Sequence, residues 1–157
     1  MGSDNGLGEQ RSVIDVRPYH PSDLSALLST WEAASRLAHP FMTDAFISEQ
    51  RVAVAEKYLP NTVTDIAVAD GKIVGFISML GNEVGAIFVD PSFHGKGVGR
   101  ALMDIPAAIH ETLEVEVFEK NTVGRPFYER YGFKEISRYT FEPLGEVVIR
   151  MRCSGCE

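Results

Sequence analysis

Apolar residues recur every three or four positions in the first third of the chain, a spacing typical of amphipathic helices. One such stripe consists of Leu24, Leu27, Leu28 and Trp31. Residues 21–23 before it are a proline, a serine and an aspartate, which are typical of a helix start. We predict one helix over residues 21–38, where Pro40 prevents its continuation, and a second over residues 43–59, ended by Pro60.

Short apolar runs bounded by turn residues follow, and this pattern predicts strands. Together with a run near the N-terminus, the predicted strands are residues 13–17, 65–69, 73–80, 83–89, 113–119, 133–141 and 146–152. The dipeptides Asp70-Gly71 and Gly81-Asn82 favour tight turns. The second to fourth strands should therefore be antiparallel.

Two further helices are expected, one starting at Val98 and kinked or shortened by Pro106, the other over residues 122–131. The predicted element order is β-α-α-β-β-β-α-β-α-β-β. This order predicts an α/β fold with a mixed, largely antiparallel central sheet that is flanked by helices on both faces. It excludes a regular succession of βαβ units and a helical bundle.

Composition favours one globular domain. The chain has 157 residues, 45% hydrophobic and 24% charged, and no apolar run approaches the roughly 18 residues of a membrane span. We expect a single domain over residues 13–152, a flexible leader at 1–12 and a flexible tail at 153–157. The formal net charge of −7 argues against salt-driven binding to nucleic acid and permits a cationic partner. Neither nucleic acid nor a membrane is expected as a partner.

The two cysteines, Cys153 and Cys156, stand close to the C-terminus. A zinc site needs about four ligands, and the sequence has neither a second C-x-x-C pair nor a clustered histidine pair. We therefore predict two exposed thiols and no bound metal, with a redox role or a metal shared between two chains as the alternatives. A cysteine-poor chain whose first residues lack a signal-peptide pattern is expected in the cytoplasm.

The stretch between the fourth strand and the following helix carries the clearest chemical signal. Gly95, Gly97 and Gly99 alternate there, and glycine permits the positive φ angles that turn successive N–H groups toward an anion. The helix start adds the positive end of its dipole, and Lys96 and Arg100 add charge. The loop is predicted to hold a phosphate or pyrophosphate, with close packing as the alternative. Its spacing matches neither a Walker loop nor a Rossmann fingerprint.

The loop resembles the pyrophosphate loop of the GCN5-related N-acetyltransferases (the GNAT family), whose pattern is Q/R-x-x-G-x-G/A. Residues 94–99 are His-Gly-Lys-Gly-Val-Gly, so a histidine replaces the usual glutamine or arginine. The resemblance implies acetyl-CoA as cosubstrate. The residues expected to bind its pyrophosphate are His94, Gly95, Lys96, Gly97, Val98, Gly99 and Arg100.

A second stretch resembles the family element N-x-x-A-x-x-F-Y, which precedes a Gly-Phe pair. Asn121 begins this stretch and Phe127-Tyr128 ends it, with Gly124 where the family has alanine. The two motifs occur in the family's order, and the resemblance extends over residues 14–151. It is to the bacterial YiaC/YjaB-type members in particular, some of which acetylate protein lysines.

The resemblance implies direct transfer of an acetyl group from acetyl-CoA to a primary amine. The Val89 N–H would stabilise the developing oxyanion, and the main chain of Phe88 and Val89 would bind the pantetheine arm, which the splayed neighbouring strand admits. Asn121 would cap the next helix and bind the same arm. Tyr128 would protonate the leaving thiolate, with ordinary aromatic packing as the alternative. Glu83 would act as general base, with a solvated strand end as the alternative.

The acceptor amine is expected under the first two helices. Trp31, His39 and Phe41 are the candidate substrate-binding residues, with a loop histidine beside a core phenylalanine as the alternative for the last two. Glu116 and Glu119 compete for the role of general base. We expect a monomer or a homodimer. A non-catalytic acyl-CoA sensor is the alternative function, and the retained tyrosine favours an enzyme over it.

Overall fold

Within the described residues 13–156 of a computed structural model, seven strands form one sheet. The strands are β1 (Ile14–Pro18), β2 (Val63–Ala69), β3 (Lys72–Leu80), β4 (Glu83–Val89), β5 (Thr112–Phe118), β6 (Lys134–Phe141) and β7 (Glu146–Ser154). The helices are α1 (Leu24–Ala38), α2 (Asp44–Ala53), α3 (Val98–Ala107) and α4 (Gly124–Tyr131). None of these helices is long and apolar enough to span a membrane. The predicted leader at 1–12 lies outside the described residues.

The elements follow one another as predicted, and the strands lie in the order β1-β2-β3-β4-β5-β7-β6. Neighbouring strands are antiparallel except β4 and β5, which are parallel. The turn between β2 and β3 has positive φ at both Asp70 and Gly71, as a tight hairpin turn requires. The predicted α/β fold with a mixed, largely antiparallel sheet is confirmed.

Each face of the sheet carries its own apolar core. Under α3 and α4 the core includes the fully buried Ile77, Leu102, Met103 and Leu113. Under α1 and α2 it includes Leu27, Ile47, Ile66 and Phe76. Because successive strand residues point to opposite faces, β4 serves both cores. Ile87 and Val89 pack toward α3, whereas Ala86 and Phe88 pack toward α1.

In the described part of the chain, β4 and β5 pair only at their beginnings. The parallel register joins Glu83 to Glu114 and Val84 to Val115, and the pairing ends there. Beyond these pairs the two strands diverge and leave a gap in the middle of the sheet. The expected splay between these strands is confirmed.

α2 is shorter than the helix predicted over residues 43–59. Its α-helical part has 10 residues, and a π-type turn (Val54–Tyr58) and a 3-10 turn (Leu59–Asn61) follow. Hydrogen bonds in a π-type turn join residues five apart. The turn therefore brings Val54 and Leu59, which are both buried, toward the same core.

The C-terminal segment belongs to the fold. β7 extends to Ser154, so residues 153 and 154 lie in a strand and not in the predicted flexible tail. Cys153 and Cys156 are only 2% and 7% exposed, and the structure joins them by a disulfide. The prediction of two exposed thiols is therefore wrong. The physical reason is packing, because Cys153 is part of the core under α3 and α4.

Candidate active site

A cleft of about 410 Å³ opens where β4 and β5 diverge. The end of α1, the second half of β4, the glycine loop and the starts of α3 and α4 surround it. Its lining includes ten residues predicted from the two motifs and from β4: Phe88, Val89, His94, Gly95, Gly97, Val98, Gly99, Arg100, Asn121 and Tyr128. Folding thus brings together two motifs that α3 and β5 separate along the chain.

The glycine loop has the geometry of an anion-binding nest. Gly95 and Gly97 have φ angles of 77° and 85°, a region that residues with side chains rarely adopt. Gly97 caps α3, and its carbonyl accepts from the Ala101 N–H at 3.0 Å. The N–H groups of residues 98–100 precede this first helical bond and remain for a ligand at the positive end of the helix dipole.

Two basic side chains stabilise the loop in different ways. His94 Nε2 donates to the Val89 carbonyl at 3.0 Å, so this side chain ties the loop to the end of β4. The Arg100 guanidinium lies 4.9 Å from the centroid of the Tyr131 ring and lines the cleft. Stacking holds this cation beside the glycine loop.

The second half of β4 presents main-chain groups to the gap. The Asp90 N–H donates to the Val74 carbonyl on β3 at 2.8 Å. Because hydrogen-bonding residues alternate along an antiparallel pair, the main chain of Phe88 also faces β3, whereas that of Ile87 and of Val89 faces the gap. The expectation for the Phe88 main chain is therefore corrected, and Ile87 takes its place beside Val89.

Tyr128 combines burial with a free hydroxyl. It is 7% exposed, and its ring lies 5.6 Å from those of Phe127 and Phe133, centroid to centroid. Its hydroxyl has no hydrogen-bond partner among the described residues, and the residue lines the cleft. Burial raises the pKa of Tyr128, so the phenol keeps its proton at neutral pH and is available as a donor. Tyr131 differs, because its hydroxyl donates to Asp104 Oδ1 at 2.5 Å.

Asn121 caps α4 and links it to the end of α1. Its Oδ1 accepts from the N–H groups of Val123 at 3.1 Å and Gly124 at 2.7 Å, just before the helix. α4 itself begins at Gly124, two residues later than predicted. Its Nδ2 lies 3.3 Å from His39 Nε2. His39 is 7% exposed, and desolvation lowers its pKa to about 4. The predicted capping role of Asn121 is confirmed.

The candidate substrate-binding residues do not line the cleft. Trp31 is 5% exposed and packs in the core under α1 and α2, so its large apolar ring contributes to packing and not to an open acceptor site. Phe41 packs against Phe118, with ring centroids 5.1 Å apart. His39 is buried against Asn121. Helical spacing predicted the apolar face of α1 correctly but could not separate core from pocket.

Glu83 lies at the closed end of the β4–β5 gap, where the strands still pair. Its Oε2 accepts from Arg150 Nη1 at 3.2 Å, and Arg150 also binds the carboxylates of Glu114 and Glu116. Glu83 therefore does not line the cleft, and neither does Lys96 of the loop. Glu119 also pairs with an arginine, Arg138, at 2.9 Å. No group of three potential metal ligands occurs within the described residues.

Eight cleft residues were not predicted from the sequence as site residues: Ala34, Ala38, Ile87, Phe93, Val123, Gly124, Phe127 and Arg130. Ile87 is an apolar residue within a strand. Nothing in its local sequence indicates that its main chain faces the gap between β4 and β5. Arg130 follows Phe127 by three positions on α4, so helical spacing from that residue was the available signal.

Comparisons with known proteins agree with this geometry. The family model of the acetyltransferase (GNAT) domain matches residues 61–135, which include β4, the glycine loop and α4. The peptidyl-lysine N-acetyltransferase YiaC of Escherichia coli strain K12 is 33% identical over 119 residues, which cover 75% of this chain and 82% of YiaC. This chain belongs to the GNAT family.

Two further relatives extend the likeness over most of this GNAT protein. The peptidyl-lysine N-acetyltransferase YjaB of Salmonella typhimurium strain LT2 is 29% identical over 135 residues, covering 85% of this chain and 92% of YjaB. The solution structure of apo YjaB from Escherichia coli superposes with a TM-score of 0.81 at 25% identity, covering 92% of this chain and 99% of that one. The predicted family, fold and N-acetyltransferase activity are confirmed.

Proposed function

We propose that this GNAT protein transfers the acetyl group of acetyl-CoA to the side-chain amine of a lysine in a protein. The names of the relatives YiaC and YjaB support lysine as the acceptor class. The formal net charge of −7 also suits a cationic acceptor, because it attracts a lysine-rich segment over long range.

One observation carries the proposal: the glycine-loop nest lines the same cleft as Tyr128, whose hydroxyl has no hydrogen-bond partner in residues 13–156. In our proposal the pyrophosphate of acetyl-CoA binds the N–H groups of residues 98–100 at the start of α3. The pantetheine arm then follows the gap and binds the main chain of Ile87 and Val89. Its thioester lies beside Tyr128.

The reaction needs two groups of this chain around the thioester. A lysine amine that has first released its ammonium proton to water attacks the carbonyl carbon. A C–N bond forms, the C=O π electrons move onto the oxygen, and the Val89 N–H stabilises the resulting oxyanion. The C–S bond then breaks, and Tyr128 gives its proton to the departing sulfur. The acetylated nitrogen loses its extra proton to water, and solvent returns a proton to the phenol. We assign Glu83 no step, because Arg150 binds its carboxylate and it does not line the cleft.

The experiment is acetylation of lysine-containing peptides with acetyl-CoA, followed by mass spectrometry and by release of free CoA thiol. We expect acetylated lysine and an equal amount of CoA. If only small amines are acetylated, the acceptor class is small amines and not protein lysines. Tight binding of acetyl-CoA without turnover on any amine would favour the sensor function instead.

A further inference from the structure

We propose that His39 is a positioning residue that holds Asn121 in the donor cleft as a neutral hydrogen-bond acceptor. This inference rests on the proposed function, because it assigns Asn121 to the pantetheine arm of acetyl-CoA. His39 lies just after the last residue of α1, and Asn121 lies just before α4, 82 residues further along the chain. Their contact therefore joins the end of α1 to the start of α4, the helix that carries Tyr128.

The orientation of the Asn121 amide follows from its partners. Oδ1 accepts from the main-chain N–H groups of Val123 and Gly124, so the oxygen must face α4. Nδ2 consequently faces His39 and donates to its Nε2 at 3.3 Å. An imidazole nitrogen that accepts a hydrogen bond carries no proton, so the proton of neutral His39 is on Nδ1.

The surroundings of His39 keep the ring neutral. Its ring contacts those of Phe41, Phe88 and Phe118 at centroid distances of 5.7, 6.4 and 5.3 Å. Nδ1 is buried without a hydrogen-bond partner among the described residues. A protonated His39 ring would lose its hydration in this apolar environment. Its Nε2–H would also face the protons of the Asn121 amide, so two donors would meet. The depressed pKa of His39 agrees with this geometry.

Gly124 provides an independent observation. A Cβ at this position would lie 2.7 Å from Asn121 Nδ2, which is closer than real Cβ atoms approach, and 3.2 Å from its Cγ, which is tighter than most real contacts. The alanine usual in the family element would therefore displace the amide from its present position. Glycine at residue 124 permits the Asn121 conformer that reaches His39.

This arrangement leaves one donor of Asn121 for a ligand. The amide nitrogen has two protons, and His39 takes one of them. Asn121 lines the cleft, so the second proton is available to a carbonyl of the pantetheine arm. By fixing the amide before the ligand arrives, His39 lowers the entropic cost of donor binding.

Nitrogen NMR of the imidazole rings tests the tautomer in the wild-type protein. We expect His39 with a protonated Nδ1 and an unprotonated Nε2 at pH 8. His94 is an internal contrast, since its Nε2 donates to the Val89 carbonyl and must carry the proton. A protonated Nε2 at His39 would overturn the inference, whether the ring is neutral or cationic.

Calorimetric binding of acetyl-CoA tests the positioning role. His39→Leu and Gly124→Ala should each weaken affinity about three- to tenfold, the value of one hydrogen bond, and the double variant should lose little more. His39→Gln, whose amide oxygen can replace Nε2, should restore most of the affinity. His110→Leu makes the same chemical change at a half-buried position beyond α3 and should have no effect.

Unchanged affinity in folded His39→Leu, or fully additive losses in the double variant, would contradict the positioning role. If that variant does not fold, His39→Gln and the tautomer of the wild type decide the matter. Neither readout needs turnover. A failure of the proposed acetyl transfer would appear as absent product with intact binding, so the two failures are distinguishable.

Discussion

The donor cleft and the His39 cluster (His39, Phe41, Phe88, Phe118 and Asn121) meet at Asn121 but are built in different ways. The proposed anion site of the cleft uses main-chain N–H groups of consecutive residues, shaped by the positive φ angles of Gly95 and Gly97. The cluster uses side chains from three separate segments of the chain. A site of the first kind depends on local conformation, whereas a site of the second kind depends on how the helices dock.

The largest effect is expected at Tyr128, which is both buried in the core and the proposed proton donor. Tyr128→Phe keeps the ring in the core but removes the donor, so kcat should fall by about 10²–10⁴-fold while the affinity for acetyl-CoA stays unchanged. Steady-state kinetics with calorimetric binding check this. Tyr131→Phe is the matched control, since it loses a bond to Asp104 outside the cleft and should keep kcat. An unchanged kcat in Tyr128→Phe would remove this residue from the mechanism.

The next effect tests the main-chain site. Gly97→Val places a branched side chain at a φ of 85° in the nest and should weaken acetyl-CoA binding at least about hundredfold, because two or more charge-assisted hydrogen bonds of about 1.5–3 kcal/mol each are lost. Gly145→Val imposes similar strain at a φ of 64° in the β6–β7 turn, where a Cβ also meets no atom. Retained affinity in Gly97→Val, or equal loss in both variants, would argue against the nest.

A third effect concerns the His39 cluster and pH. Folding lowers the His39 pKa from about 6.5 to about 4, so between these pH values the unfolded chain binds a proton that the folded chain excludes. Stability is therefore full above pH 6.5 and should fall by about 3 kcal/mol by pH 4. Asp23 titrates below this window, because hydrogen bonds from Arg17 hold its pKa at about 2.

Urea unfolding across the window, compared between wild type and His39→Gln, isolates this contribution. The wild type should lose about 3 kcal/mol more than the variant, since glutamine does not titrate. Equal losses of unfolding free energy in the two proteins would mean that water or an acidic group stabilises protonated His39 in the folded state.

The smallest effect is expected at Glu83. Glu83→Gln removes one carboxylate from a network in which Arg150 keeps Glu114 and Glu116, and such partly exposed pairs contribute about 1 kcal/mol or less. We expect kcat within about threefold of wild type. A fall of about hundredfold or more would restore Glu83 as general base.

Strand and helix positions were predictable where the local pattern decides them. The meander was predicted from its turn residues, and α3 includes Pro106 and ends at Ala107, which agrees with the prediction of a helix shortened by this proline. The glycine loop and Tyr128 were predicted from their motifs. Trp31 and the two cysteines were misplaced, because an apolar or thiol side chain has the same sequence pattern in a core, a pocket or a tail.

The amino-acid sequence by itself determined the order of the elements, the position of the glycine loop and the family, because these depend on residues close together along the chain. Tertiary structure alone decided which main-chain groups of β4 face the gap, which carboxylates pair with Arg150, and that His39 meets Asn121. The physical reason is that strand register and helix docking bring distant residues within hydrogen-bonding distance, and no local pattern encodes that distance.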